Sequence, residues 1–482
     1  MVVALFTILF AFFPLTDTDI WWHLACAREW VTTWTPVRSP VVNVHEYFQA
    51  VVAFVYGLGG APLLVAFKAI LWGIVFALFG RGKRQSLVAV VLLFIFRYHF
   101  EIRPVLFSLL FLGIYWNVLP SLFEKFHCES RRGAAISRCC SVTLILTIQW
   151  FWCKCQGLYI LGPLFALLVL LGFIWNSRKA NEKISPKSVA WRIAFVVALF
   201  VMPLLHGEGL SLFLYPFGLL DRLLGLTPSA AVFSSEIAEN RSPLTLLMAG
   251  ENALECVLMI ALCVAGIFVG LRSLCRHSGT TIGRDGIQNV ALLVTAILAL
   301  IAERNFVLFL PVLLAVLPYF SHTAFHISHF TFCRRLPTVY FLLPTFFILG
   351  LWARSLSAYD YSMVAYQRVP VDAAQWMLSH PHSGKLFNDD RAGGFLAFVN
   401  PSDSVYIDGR FILKSSEFFE RYLSYAANPA QFMADADSLG IDRSIFPLRY
   451  YARWDTLLLA LEKSPHWNLV YRDEYFAVFD KK

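Results

Sequence analysis

Charge is what this sequence has least of: Asp, Glu, Lys and Arg make up 15% of its 482 residues, against about 25% in an ordinary soluble chain. Its ten cysteines lie mostly in or beside apolar runs, and the stretch after residue 355 has none, which excludes a secreted disulfide scaffold. Cys153 and Cys155 form a C-x-C with no second pair, too little for a zinc site. H-E-x-x-H, G-x-S-x-G and phosphate-loop motifs are missing, so zinc protease, serine hydrolase and nucleotide-driven pump lack their parts. No repeat or low-complexity segment interrupts the chain. What is abundant is hydrocarbon: 58% of residues are hydrophobic and the mean hydropathy is +0.62. The expected class is an α-helical polytopic membrane protein.

The scarce charge is unevenly placed. Residues from 356 onward carry 13 basic and 16 acidic side chains, so the overall surplus of +8 comes from the region before them. There the basic residues form five clusters between apolar runs: Arg81/Lys83/Arg84, Lys125/Arg131/Arg132/Arg138, Arg178/Lys179/Lys183/Lys187/Arg192, Arg272/Arg276/Arg284 and Arg334/Arg335. The positive-inside rule makes these clusters cytoplasmic, and the basic balance needs no nucleic acid as a partner. A spanning helix takes about 20 apolar residues. Runs at 61–80, 105–122, 158–175, 254–271 and 287–302, with shorter ones at 1–15, 86–98, 139–152, 192–205, 305–320 and 336–353, give about eleven transmembrane helices. That count places the N-terminus inside and the C-terminal region outside. The first run lacks a basic leader and a small-residue cleavage site, so it is expected to stay as a helix.

Between residues 16 and 60 the text changes. Trp21, Trp22, Trp30, Trp34, Tyr47 and Phe48 mix with Asp17, Asp19, His23, Glu29, His45 and Glu46, the composition of a membrane interface. Interfacial helices are expected at 19–33 and 44–57, on either side of a turn at 36–40. A second long outer loop, 206–252, carries another at 210–224. The transmembrane domain thus covers 1–355. From 356 to 482 a small soluble α/β domain is expected on the extracytoplasmic side, with helices at 371–380, 416–427, 429–439 and 454–463 and strands at 384–388, 404–408, 443–447, 467–472 and 475–480.

Several charges face the outer side on this topology. Asp17 and Asp19 follow the first run directly, where carboxylates are costly unless paired, solvated or used. Such a pair suits a general base for an acceptor hydroxyl, or a divalent cation that steadies a leaving phosphate. No cofactor is fixed by the sequence, and Mg2+ or Mn2+ on Asp17 and Asp19 is the ion such a pair would hold. The structural alternative is a helix N-cap. His45 and Glu46 open the second interfacial helix, where Glu46 equally suits the positive helix end. Arg97, His99, Glu101 and Arg103 occupy one outer turn, Lys154 and Gln156 the next, and Glu303, Arg304 and Asn305 a third. Arg103, Arg304 and Lys154 suit a lipid-linked phosphate; the other reading is contact with head groups or pairing with Glu101 and Glu303. Glu236 and Glu239 either join this group or cap. His206 and Asp408 are isolated and read as structural.

The stretch Asp17-Thr18-Asp19-Ile20-Trp21-Trp22-His23-Leu24, with His45-Glu46 and Tyr56-Gly57-Leu58-Gly59-Gly60, resembles a group of bacterial multi-spanning proteins related to the GT-C glycosyltransferase superfamily. Arg103-Pro104, Gly157 to Gly162, Glu239 with Ser242-Pro243, Arg304-Asn305, Asn388, Gly393-Gly394, Asp408-Gly409-Arg410 and the stretch 467–479 extend the resemblance over nearly the whole chain.

The resemblance implies a GT-C-like fold in the bacterial inner membrane, with acidic interfacial helices in the first outer loop. It implies transfer of a sugar from a polyprenyl-phosphate-type carrier to a glycan, lipid or protein acceptor outside the cytoplasm. On that analogy Asp17 or Asp19 is the base and Glu46 a second acid, Arg103 and Arg304 hold the donor phosphate, and His23, His45, Lys154 and Glu239 complete the substrate site. One turn departs from the group: its usual Asn-x-His-Gly is here Lys154-Cys155-Gln156-Gly157, which removes a titratable histidine and adds a cation. A reading of another class is a non-catalytic translocator or assembly factor for envelope polysaccharide or lipid, whose buried charges line a path.

Overall fold

The structure, a computed structural model, describes residues 2–38, 41–80, 87–125, 132–179, 185–225, 227–277, 284–323, 339–357, 359–449 and 452–482. Of the basic clusters, Arg81, Lys83, Arg84, Arg131, Lys183, Arg334 and Arg335 lie outside these residues, as do Ser39 and Pro40 of the expected 36–40 turn.

The first two-thirds of the chain is helical: α1 (Val2–Ala11), α2 (Asp19–Cys26), α3 (Glu46–Phe79), α4 (Leu87–Ile95), α5 (Pro104–Lys125), α6 (Arg132–Cys153), α7 (Leu161–Lys179), α8 (Pro186–Val201), α9 (Gly209–Leu224), α10 (Pro228–Glu236), α11 (Pro243–Met248), α12 (Ala253–His277), α13 (Arg284–Ile301), α14 (Phe306–Thr323) and α15 (Val339–Leu356). Every apolar run found in the sequence overlaps one of them. Among the described residues five stretches, Glu46–Phe79, Pro104–Phe123, Gly157–Lys179, Pro186–Leu205 and Ala253–Cys275, are long and apolar enough to cross a membrane by length and composition.

Two expectations for the first loop change. The helix expected at 19–33 stops at Cys26, because residues 32–34 spend their backbone groups elsewhere: Trp34 N–H donates to Val405 O at 3.0 Å and Val405 N–H to Thr32 O at 3.1 Å. The helix expected at 44–57 is not separate from the run at 61–80. Both belong to α3, broken at Gly59 and Gly60, where Gly60 takes a φ of 64° and Pro62 restarts the helix. Glycine is what permits that left-handed step, and proline is tolerated in the first turn that follows.

The C-terminal region holds α16 (Val371–Ser379), β1 (Lys385–Asn388), α17 (Asp390–Val399), α18 (Ser416–Ser424), α19 (Pro429–Leu439), β2 (Ile441–Pro447), α20 (Asp455–Lys463), β3 (Trp467–Arg472) and β4 (Phe476–Lys481). Its sheet runs β1-β2-β4-β3, with β1 parallel to β2 and the other pairs antiparallel. Four strands form where five were expected. Residues 404–408 make only a single bridge, Val405 to Thr33, and their neighbours are tied to the Asn388 side chain, which accepts from Tyr406 N–H and donates to Ile407 O. Helix α17 was unforeseen because Gly393-Gly394 interrupts its pattern. Those glycines serve close approach: a Cβ on Gly393 would overlap Ile407 O, and one on Gly394 would lie 2.8 Å from Trp22 N.

Apolar packing continues from the helical bundle into this region. Trp21 meets Phe395 edge-on at 4.8 Å between ring centres, and Tyr56 meets Phe398 at 5.2 Å. A second core of aromatic residues sits under the sheet, where Phe387 touches Tyr406, Phe432, Phe446 and Trp454. Phe387 is fully buried, so Phe387→Ala should lower stability by about 3–5 kcal/mol. Thermal melting of the purified chain, with proteolytic release of the C-terminal region as a second probe, measures that loss.

Candidate functional site

The site begins with Asp17, which is buried and gives both oxygens to one guanidinium: Arg103 Nε donates to Oδ2 at 2.5 Å and Nη2 to Oδ1 at 3.1 Å. Arg103 Nη1 donates to Glu239 Oε2 at 2.7 Å. One planar cation therefore joins the segment before α2, the start of α5 and the short turn after α10. Asp17 Oδ1 also accepts from Asp19 N–H at 3.1 Å, while Thr18, which stands at the formal cap position, makes no capping bond. The cap reading and the ion-pair reading thus describe the same side chain.

Asp19 is placed differently. Its Oδ1 accepts from the Trp22 indole at 3.0 Å. Burial first, and then the Asp17 charge, pushes its carboxyl up to about 7, against the lowering pull of Arg103. Glu239 goes the other way: burial would raise it, but Arg103, followed by Arg304 and His99, holds it down at about 2. Arg304 Nη1 donates to Asn240 Oδ1 at 2.8 Å, a neutral amide rather than a carboxylate.

His23 and His45 pack ring against ring with centres 5.3 Å apart. Burial above all keeps His23 well below its ordinary value, and burial likewise lowers His45 to about 4 although its Nδ1 lies 3.1 Å from Cys155 O. Both are neutral imidazoles near pH 7, and among the described residues His23 Nδ1 is buried without a hydrogen-bond partner.

Glu46 and Lys154 come together in a cluster of their own. Lys154 Nζ lies 2.8 Å from Glu46 Oε2 and also pairs with Glu208. The expected second acid therefore meets a cation of the next turn instead of standing beside Asp17. Glu101 pairs with Lys68 at 3.6 Å and accepts from Thr16, so its cation is Lys68 and not one of the outer-turn cations. Lys68 is fully buried in α3 and donates to Phe13 O at 3.0 Å. A lone lysine inside an apolar run was the available signal. His99 sits between Glu255 at 2.9 Å and Glu303 at 3.6 Å, and these carboxylates raise its affinity for a proton in spite of burial. His206 stacks on Trp150, with Nε2 3.1 Å from Trp150 O.

Asp408 is not isolated. It pairs with Arg410 and accepts from Thr32 at 3.0 Å, while Arg410 also donates to Trp30 O. Lys414 Nζ donates to Thr33 Oγ1 at 3.0 Å and to Thr35 Oγ1 at 2.6 Å. The C-terminal signature thus grips the first loop directly behind Asp19.

For a divalent ion the donors are already spent. Asp17 has both oxygens on Arg103, Asp19 has one on Trp22, and among the described residues no group of three or more His, Cys, Asp or Glu side chains is arranged to hold a metal. The side chains as arranged do not fit Mg2+ or Mn2+.

No family model matches the chain, and no curated protein does. Among solved structures, the archaeal oligosaccharyltransferase AglB from Archaeoglobus fulgidus, in complex with an inhibitory peptide and a dolichol-phosphate, aligns over 95% of this chain and 71% of its own. The TM-score is 0.54 and the identity 12%. The apo form of the Archaeoglobus fulgidus oligosaccharyltransferase gives a TM-score of 0.55 at 13% identity with the same coverage, 95% and 71%. The chain shares the fold of these two structures. ArnT from Cupriavidus metallidurans aligns over 99% of this chain and 96% of its own at 12% identity, with a TM-score of 0.36, and adds nothing to that assignment. A shared fold at such identity speaks for architecture alone.

The shifted Asp19 carboxyl has a measurable consequence. Unfolded, it ionises near about 4; folded, it holds its proton up to about 7. The folded chain therefore binds more protons between these values, so this group's contribution to stability falls as pH rises through that window and levels off above it. Asp19→Asn should melt with the parent at about pH 4 and progressively above it up to about pH 7, with a constant gap beyond. Melting curves of the two proteins across that range test it, and coincident curves throughout would mean an ordinary, solvated carboxylate.

Proposed function

We propose that this chain is a membrane glycosyltransferase that moves a sugar from a polyprenyl-phosphate-type lipid carrier to an acceptor on the extracytoplasmic side of a bacterial inner membrane. About eleven spans and an external C-terminal region complete that picture. The observation that carries it is the convergence of Asp17, Asp19, Arg103 and Glu239 from three distant segments, with Asp19 near neutrality. A general base works best with a pKa close to the working pH, which a carboxyl pushed up to about 7 meets.

Each side chain then has a task. Asp19 removes the proton from an acceptor hydroxyl, and that oxygen bonds to the anomeric carbon. The bond from this carbon to the carrier phosphate breaks, and the phosphate leaves with the electron pair. Arg304 meets its charge, while Lys154 is taken up by Glu46 and Glu208. Arg103 is taken up by two carboxylates, so it positions Asp17 and Glu239 and adds field rather than a fork for phosphate. Neutral His23 and His45 offer hydrogen bonds to sugar hydroxyls, and Glu46 orients Lys154.

Asp17→Ala and Asp19→Ala should leave a folded protein and abolish sugar transfer; normal glycan output from both variants counts decisively against the proposal. Transfer by the parent should rise with pH through about 7, because only the ionised Asp19 accepts a proton, and a rate flat from about pH 5 to 9 would remove Asp19 from the role. Lipid-linked sugars profiled in cells that lack the protein should show the donor accumulating, which identifies it.

A further inference from the structure

The C-terminal region does more than cover the first loop. We propose that Gly409 is a positioning residue for Asp19: the Asp408–Gly409–Arg410 turn lies directly on the Asp19 carboxylate and the Trp22 indole, and the missing side chain at 409 is what lets that carboxylate keep its place. The proposal rests on Asp19 being the base and deepens that reading.

Three observations carry it. First, a Cβ on Gly409 would overlap Asp19 Oδ1 and stand 3.1 Å from Trp22 Nε1 and 3.2 Å from Trp22 Cδ1. These are the two groups whose hydrogen bond orients the carboxyl. Second, Gly409 is not among the glycines in the left-handed region, so backbone conformation does not demand glycine there; the close approach does. Third, the turn cannot easily retreat. Asp408 and Arg410 are both almost fully buried and paired, and Arg410 is tied to Trp30 O and Thr32 while Lys414 holds Thr33 and Thr35. Behind Trp22 the Gly394 backbone is equally close, at 2.8 Å from a Cβ to Trp22 N. Trp22 is therefore gripped between two glycine-bearing segments of the C-terminal region.

The charged groups around Asp19 are Asp17, Arg103 and Glu239 on the bundle side, and the mutually neutralised Asp408 and Arg410 on the turn. A methyl at 409 leaves all of these in sequence and moves only the carboxylate. That side chain would swing toward solvent, which relieves the burial that pushes its pKa up.

A double-mutant cycle on the full chain in detergent tests this without any substrate. Gly409→Ala should lower the melting temperature by about 5 °C in the parent and by at most about 2 °C in the Asp19→Ala background, where the methyl meets vacated space. Folding of Gly409→Ala only in the Asp19→Ala background supports the proposal as well. Equal losses in both backgrounds, no loss in the parent, or failure to fold in both overturns it. A readout that mere packing would not move is the pH at which the melting gap to Asp19→Asn levels off. With Gly409→Ala in both partners it should fall by at least about one pH unit, and an unchanged value overturns the proposal. Sugar transfer by Asp19→Ala would remove the base while leaving the contact standing, so the two claims fail separately.

Discussion

Arg103 is the joint on which the arrangement turns. Its guanidinium takes Asp17 on one edge and Glu239 on the other. A planar fork with five donors can serve two carboxylates at once, which an ammonium cannot do with the same fixed geometry. Three pieces of chain that are remote in sequence acquire a common origin, and Asp19 inherits its position from it through the Asp17 carboxylate. Removing Asp17 or Glu239 would leave Arg103 with a single carboxylate, so the two pairs are coupled through one cation.

Around this joint neighbouring charges set two buried carboxyls apart. Glu239 lies against the cation and is held near 2, whereas Asp19 lies next to another acid and is pushed up to about 7. The same side-chain chemistry thereby yields two carboxyls of divergent proton affinity within one small volume, and divergent environments of this kind are what acid–base sites use. Neutral His23 and His45 extend that volume without adding charge.

How much of this was readable beforehand follows from the range of each signal. Apolar helices are local, and hydropathy placed every run that holds one. The Asp17–Asp19 pair and Arg103 were also visible as scarce charges at helix ends. Their union was not, because it spans 86 residues to Arg103 and a further 136 from there to Glu239. Composition misled at 27–33, where Thr32 and, just beyond, Trp34 bond to Val405 in place of a helix, and at Gly393-Gly394, where small residues serve contact inside a helix. Lys154 was assigned to phosphate from charge alone; its pairing with Glu46 and Glu208 depends on a turn and a loop that no local pattern aligns.

The grip of Lys414 on Thr33 spans 381 residues. At about 5–20 residues per second of synthesis, the extended segment around Thr33 waits roughly 20 to 75 s for the partner that satisfies it. During that interval its open backbone edge is exposed to whatever lies nearby, and strand edges of this kind invite misassembly. The acidic centre is thus completed late, after the bundle has been threaded, and a nascent chain released early carries every acid of the first loop without the surface that closes over them.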